Sequence, residues 1–581
     1  MPFNLKIFVA ILATADTTLS AATRRSSSRP SYRFLPGDPE WPSDRDWATL
    51  NRTVGGNLIR GVPLAQPCYG VTANAAECST IQNEWAQISP FVESPVNTID
   101  LYWNNNSCNP FDSALAMNTD HDTSSCTLGN LAQYAIKVTD AESVIAGVKF
   151  ARDHNIRLTV KNTGHDFLGR SMGKGSLGLW THNLKDTSFF QYKSAAYTGP
   201  AARVGAGIEV SELYTAAAAQ GYRAVAGSCP SVGAVGGFTQ GGGHGPLSSA
   251  YGLGADQTLE FDVVTVKGDR LTASRTKNSD LYYALSGGGA GNYGVVLSMT
   301  IKVHKDGPVA GAQLMWTSDD DDVFAKGVKA WIQHLPVLDA IPGFRTDVRL
   351  QKGVFYLAMA TLPDGTEDEM LQALLPYHEA LKELEITPSL NETTLQNDFL
   401  DHYTHHSGTL DTTRNLTIGS QLVPRAFVED TNNVDDLVSA LEDILDVPNS
   451  LIVILGTNVT HARVGNQAET NGVSTMWRDS LFLLNVGLLG NMLADWPELV
   501  QQLDVVNGWE QKLRTVVPGG GAYMNEGTYD NPNWREDYYG DKYDKLLKIK
   551  RLYDPNNVLW NKPAVGHDAL VLDSDGRLHK A

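Results

Sequence analysis

The chain has 581 residues, 42% hydrophobic and 19% charged. This globular mix on a length that calls for several structural units excludes a disordered, collagen-like or coiled-coil protein. Lys and Arg number 46 against 65 Asp and Glu, a formal charge of −19, whereas a phosphate-binding surface wants the opposite sign, so nucleic acid is not an expected partner.

At the N-terminus, Lys6 precedes an apolar run from Ile7 to Ala15, and Ser20-Ala21-Ala22 offers a small-residue cleavage stretch. This is the layout of a secretory signal peptide over residues 1–22. The run is too short to span a bilayer, and no later stretch reaches the ~20 apolar residues a span needs. A secreted protein without a membrane segment is expected. The triplets at Asn51, Asn105, Asn391, Asn415 and Asn458 fit the N-glycosylation pattern, in keeping with that compartment.

Residues 23–127 are rich in Ser, Pro, Asn and Asp and read as an irregular extension. They hold four of the five cysteines. In an oxidising compartment the simplest pairing is Cys68 with Cys78 and Cys108 with Cys126, although spacing alone does not fix connectivity. Cys229 is left over, inside a glycine-rich stretch; it is either buried or chemically employed.

A regular domain is expected over 128–308. Tyr134–Val138 is strand-like, Thr139 to Glu142 has the form of a capping box, and Val144, Ile145, Val148 and Ala151 mark a helical face. The next strand, 156–160, ends in Asn162-Thr163-Gly164-His165-Asp166, followed by Gly169-Arg170-Ser171. A glycine-rich turn after a strand can present several backbone N–H groups to an anion such as a pyrophosphate; the plainer alternative is a tight turn with a satisfied histidine. Strands are also expected at 202–207, 261–266 and 295–303, with a helix from Val210.

Two further glycine clusters lie in this domain. Gly227-Ser-Cys229-Pro-Ser-Val232-Gly233 runs into Gly236-Gly237 and Gly241-Gly242-Gly243-His244, where so many glycines let backbone approach a flat ligand. Gly289-Ala-Gly291-Asn-Tyr-Gly294 matches a dinucleotide fingerprint, but a helical stretch precedes it and a strand follows, which is the wrong context.

From 309 to 515 the pattern changes to amphipathic helices such as 370–384 and strands such as 451–455. His402, His405 and His406 lack the further ligands a metal site needs and read as loop histidines. The segment 516–581 is rich in Gly and Tyr and ends in a helix over about 541–553, stopped by Asp554-Pro555.

Together these motifs resemble the berberine bridge enzyme-like flavoproteins of the vanillyl-alcohol oxidase superfamily. Thr163-Gly164-His165-Asp166 with Gly169 and Ser171 is similar to the family's first pyrophosphate loop. The stretch from Gly227 through Cys229, Val232 and Gly233 to Gly243 is similar to its second. The segment Gly287 to Val296, with Gly294 and Val296, and the stretch from Tyr538 to Asn556 match two further signatures. The match covers about 128–308 and 519–566. It implies an α+β fold: a PCMH-type FAD-binding domain of two α/β subdomains, an inserted substrate domain with a helix-covered antiparallel sheet, and a C-terminal segment returning to the FAD domain. The start of the chain, Pro36-Gly37-Asp38-Pro39-Glu40-Trp41-Pro42, looks closer to the filamentous-fungal members, including isoamyl alcohol oxidase-like proteins, than to the plant alkaloid enzymes, without the cysteine found there in some relatives.

The resemblance also implies FAD held bicovalently, through His165 and Cys229, which would account for the fifth cysteine. It implies hydride transfer from an alcohol, carbohydrate or secondary-metabolite carbon to flavin N5, then reoxidation by O2 to H2O2. Val232, small at a position that gates oxygen in the family, favours an oxidase. Candidate catalytic residues are Tyr523, Asn525 and Glu526, the last standing where many relatives have tyrosine. The partners implied are a small-molecule substrate and O2, with a monomer as the default. A dehydrogenase or oxidative cyclase with another electron acceptor, and a vestigial flavin fold serving only binding, are the alternatives.

Overall fold

The computed structural model describes residues 31–70, 73–104, 106–111, 126–406, 414–467 and 469–581. The signal-peptide reading and the Asn105 sequon lie outside them. Among the described residues no helix is long and apolar enough to cross a membrane.

The first sheet joins β1 (Leu58–Arg60), β2 (Tyr134–Lys137), β3 (Arg157–Lys161) and β4 (Ser176–Trp180) in the order β1-β2-β4-β3. β2, β4 and β3 are parallel, and β1 is antiparallel to β2. The helix Ala141–Asp153 crosses from β2 to β3, as parallel pairing demands, and buries Val144, Val148 and Ala151 against Ile136, Leu158, Leu177 and Leu179. Its cap is Asp140, one residue beyond the expected Thr139. Asp140 Oδ1 accepts from Ser143 N at 2.8 Å, and a carboxylate there also complements the positive end of the helix dipole.

The extension before this sheet is more regular than its composition suggests. It forms helices Asp44–Thr53 and Ala75–Glu84 besides β1, and Trp47 stacks on Tyr134 with ring centroids 4.1 Å apart. Two disulfides, Cys68–Cys78 and Cys108–Cys126, staple it, in the simplest of the possible pairings. Cys229 belongs to neither.

The second sheet is made by β5 (Thr187–Lys193), β6 (Thr198–Gly205), β8 (Thr258–Val264), β9 (Arg270–Ser274) and β10 (Val295–Lys302), ordered β5-β6-β10-β8-β9. β7 (Tyr222–Arg223) leaves it to pair with β11 (His304–Lys305). The helix Ser279–Leu285 precedes the glycines at 287–294 and β10 follows them, so the fingerprint-like triplet opens a strand and not a helix.

A seven-stranded antiparallel sheet follows: β12 (Val309–Thr317), β13 (Arg345–Gln351), β14 (Val354–Pro363), β15 (Leu390–Gln396), β16 (Leu416–Pro424), β17 (Ser450–Gly456) and β18 (Ser480–Leu489), ordered β15-β12-β14-β13-β17-β18-β16. Alternation along each strand sends Val348, Leu350, Phe355, Leu357, Ile452 and Ile454 to one face. There they meet the helices Asp321–Ala340, Glu367–Glu383, Thr431–Leu445 and Trp496–Val516 in the largest apolar core of the molecule. The last helix starts at Tyr543, after a single 3-10 turn at Gly540–Lys542.

Three surface readings need correction. Asn415 and Asn458 are 3% and 7% exposed, and their amides donate to Asn491 O and to Asp339. Neither side chain is available to a glycosyltransferase, whereas Asn391 is exposed and Asn51 half-buried. The histidines at 402–406 are not in a loop. They lie on the helix Phe399–His406, where His402 bonds Thr361 and His406 bonds Thr394.

Candidate active site

One cavity runs between the two α/β sheets and the C-terminal segment. Its wall contains Asn162, Thr163, Gly164, His165, Asp166, Arg170 and Ser171 from the loop after β3, and Cys229, Val232, Gly233, Gly236 and Gly237 from the second glycine cluster. Gly294 and Val296 come from the turn into β10, and Tyr523, Asn525 and Glu526 from the C-terminal segment. Three glycines expected at the cofactor, Gly169, Gly242 and Gly243, are not in the wall. Gly242 and Gly243 take φ of +116° and +77° and shape the turn behind it. Residues the sequence did not single out also line the cavity, chief among them Gln240 and His244.

The first loop is held from behind. Lys161, 1% exposed, closes β3 and gives its ammonium to Ser94 O at 2.7 Å, Phe91 O at 3.2 Å, Val92 O at 3.3 Å and Thr163 O at 3.4 Å. Burial pulls its pKa down to about 7, against the opposing charge of Glu93. Gly164 needs its φ of +87°, and a Cβ there would stand 2.9 Å from Lys161 Cε. In front, Asp166 Oδ2 accepts from Ser171 N at 2.7 Å and Ser171 Oγ at 2.6 Å, closing the loop on itself.

The two loops meet. His165 Nε2 is 2.6 Å from Ser231 Oγ, two residues beyond Cys229. Asn162 Nδ2 donates to Ala206 O at 2.7 Å, and a Cβ on Gly233 would come within 2.1 Å of that nitrogen. Glycine is the residue that fits there.

The C-terminal segment is locked against both loops. Arg170 donates from Nη2 to Met524 O at 2.8 Å and to Pro563 O at 3.1 Å, and Asn525 Nδ2 donates to Gly237 O at 3.0 Å. Tyr523 is fully buried. Burial pushes its hydroxyl far above the ordinary tyrosine value, with Glu526 adding to the shift, so it stays protonated at neutral pH and is not a base; its oxygen accepts from Asn525 Nδ2 at 2.8 Å, which leaves its proton to give. Glu526 accepts from Asn485 Nδ2 at 2.8 Å, and His244 Nε2 lies 3.2 Å from its Oε1. His244 and Trp477 both pack edge-on to Tyr523 and touch each other, a cluster of three rings. The carboxylate is thus a proton acceptor oriented by two partners.

The cavity's chemistry suits a large polar planar group. Asn162 Oδ1, Arg170 Nε, Gln240 Oε1 and His244 Nδ1 are buried and have no hydrogen-bond partner among the described residues, a costly arrangement unless something fills the space. Apolar walls from Val160, Leu168, Phe238 and Val296 alternate with these groups. The residues present fit a flavin dinucleotide.

Comparison with known proteins agrees. Residues 132–274 match the FAD binding domain family, and residues 522–566 match the family described as berberine and berberine like. The FAD-linked oxidoreductase sor8 of Hypocrea jecorina is 36% identical over 99% of both chains. The VAO-type flavoprotein oxidase VAO615 of Thermothelomyces thermophilus is 37% identical over the full length of both. The crystal structure of the VAO-type flavoprotein MtVAO615 from Myceliophthora thermophila C1 superposes with a TM-score of 0.89 at 37% identity, covering 95% of this chain and 100% of that one.

Proposed function

The chain belongs to the VAO-type, berberine bridge-like family of FAD-linked oxidoreductases, and from that premise we propose that it is a secreted oxidase of small secondary metabolites, bicovalently flavinylated through His165 and Cys229. One observation carries the reading: His165, Cys229 and Glu526, from three distant parts of the sequence, line a single cavity. The His165–Ser231 hydrogen bond draws the two attachment loops together on the same side.

FAD, when bound, supplies the two-electron acceptor for a substrate C–H and passes the electrons to O2, giving H2O2. The protein's part is to place the substrate carbon and manage a proton. Glu526 takes the proton from the substrate hydroxyl, held in aim by Asn485 and His244. Tyr523, kept protonated by burial, donates to the developing oxygen charge. Val232, half-buried in the wall, is small enough to leave room for O2. The two disulfides suit an oxidising compartment, and a covalent tether keeps cofactor from being lost there.

The test is direct. The protein from a secreting host is denatured and precipitated with acid, and flavin absorbance of the pellet is recorded for wild type, His165→Ala, Cys229→Ala and the double variant. Colour retained in every form except the double variant supports two links, and H2O2 release then screens for substrates. Colour washed from the wild-type pellet overturns the bicovalent reading, and a protein that never carries flavin overturns the oxidase.

A further inference from the structure

β13 sends Arg345, Asp347 and Arg349 to the sheet face opposite the helices, since Val348 and Leu350 between them enter the helix-backed core. In the ladder, Arg349 stands opposite Val453, Val453 opposite Asn485, and Asn485 opposite Ser420. Opposed residues share a face. Asn485 on that face reaches Glu526, so Arg349 projects the same way, two strand spacings or roughly 10 Å along. Val453 makes a half-buried apolar floor between them, and Tyr356 stands beyond Arg349 with its hydroxyl accepting from Gln313 Nε2 at 2.9 Å. Arg349, Val453, Tyr356 and Gln313 are half-buried while their neighbours along the strands are buried; they form a partly exposed strip of the sheet leading away from Asn485 and Glu526.

The strip ends on a guanidinium. Arg349 Nε donates to Asp347 Oδ1 at 3.3 Å and its side chain is 35% exposed. That contact leaves Nη1 and Nη2, the pair that grips a carboxylate bidentately. Asp347 cannot neutralise both arginines. Arg345 is 1% exposed, and Nε, Nη1 and Nη2 have no hydrogen-bond partner among the described residues. On a chain of net charge −19, two guanidinium groups crowd Asp347 here, and the buried one, without hydrogen-bond acceptors of its own among the described residues, has the charges of Asp347 and Glu526 to balance it, leaving Arg349 with only a shared partner. Cys229 and Glu526, both in the cavity wall, lie within electrostatic reach of Arg349 and Arg345 respectively.

Resting on the oxidase reading, we propose that the substrate carries a carboxylate, gripped by Arg349 about two strand spacings from the carbon that Glu526 serves. Arg345 raises the potential of the strip from below. The site measures its substrate: an oxidisable carbon at one end, an anion at the other, and an apolar spacer over Val453.

The test uses the flavin-loaded protein and two probe series of increasing chain length, ω-(4-hydroxyphenyl)alkanoic acids and their primary amides, with binding followed by calorimetry. The expected result is an acid that binds at least about tenfold more tightly than its amide, the worth of one charge-assisted pair, with a preference that shrinks in raised salt. Arg349→Met, at unchanged flavin content and melting temperature, brings acid and amide level; Arg349→Lys keeps charge without the fork and retains part of the preference. If no acid outbinds its amide on the wild type, or if both variants keep the full preference, the proposal is overturned. Pellet flavin on the same samples separates this from failure of the oxidase reading, because calorimetry reads the anion preference whether or not the flavin is covalently held.

Discussion

His244 Nε2 lies 3.2 Å from Oε1 and 3.3 Å from Oε2 of Glu526, straddling the carboxylate while Asn485 holds Oε2 from the sheet. Two residues 282 positions apart in sequence thus share one proton-handling unit. Glu526→Gln keeps the shape and removes the acceptor. It is expected to leave flavin loading intact and to lower kcat by about 10²–10⁴ on any substrate the H2O2 screen identifies. His244→Ala, which only frees the carboxylate to turn, should cost less. A Glu526→Gln enzyme within a few-fold of wild type would remove Glu526 as the base.

Asp256 and Arg478 tie the second glycine cluster to the seven-stranded sheet. Arg478 Nη1 and Nη2 take both carboxylate oxygens, at 2.9 and 2.8 Å, and Asn466, Asn471 and Leu253 N supply further donors. Burial alone would raise the Asp256 carboxyl; the Arg478 charge and these donors outweigh it and hold it below the ordinary value. Arg478→Met strands a buried charge and should cost about 3–5 kcal/mol, measured by denaturant unfolding. A loss under 1 kcal/mol would contradict the pair's role.

Asp100 and Glu510 contribute stability that falls as pH rises from about 4 to 7, against buried histidines such as His304 and His402, whose lowered values work the other way. Burial lifts Asp100 from 3.8 and Glu510 from 4.5, each to about 7, although Tyr102 N and Thr528 Oγ donate to them. The folded chain keeps two protons that the unfolded chain releases in this window. Their contribution is complete below the unfolded values and disappears as pH passes the folded ones. Over this window the melting temperature of Glu510→Gln, which imitates the protonated acid, should gain more with rising pH than that of wild type. An unchanged slope in that variant would count against it.

Lys161→Met removes the donor that four or more carbonyls share behind the histidine loop. The expected loss is about 2–4 kcal/mol, with reduced flavin content in the purified protein. Full loading and wild-type melting behaviour would show that the loop holds its shape without this clamp.

Much of the site was legible in the sequence because short motifs carry it. Asn162 to Ser171 and Gly227 to Gly237 are contiguous, and their glycines announce close backbone approach before any fold is known. What escaped depends on the pairing of distant strands. Nothing local marks Asn485 or Arg349; they become neighbours of the cavity through a register running across β13, β17 and β18. Glu526 was a candidate from its own motif and His244 stood unremarked in its glycine run; their pairing was not visible. Composition also misled: a Ser- and Pro-rich extension hides β1 and the helix Asp44–Thr53, because tertiary contacts such as Trp47 on Tyr134 supply the order that local propensity lacks.

Arg170 fastens Met524 and Pro563 to the first loop, so the cavity's wall is drawn from near the middle of the chain and its support from close to its end. While the polypeptide is still on the ribosome, the first loop has been made long before the residues that shut it. The pocket cannot close around a ligand during synthesis, and cofactor capture becomes a late event of maturation. A premature stop before residue 524 would therefore yield a chain with both glycine loops present and without the C-terminal residues that fasten them.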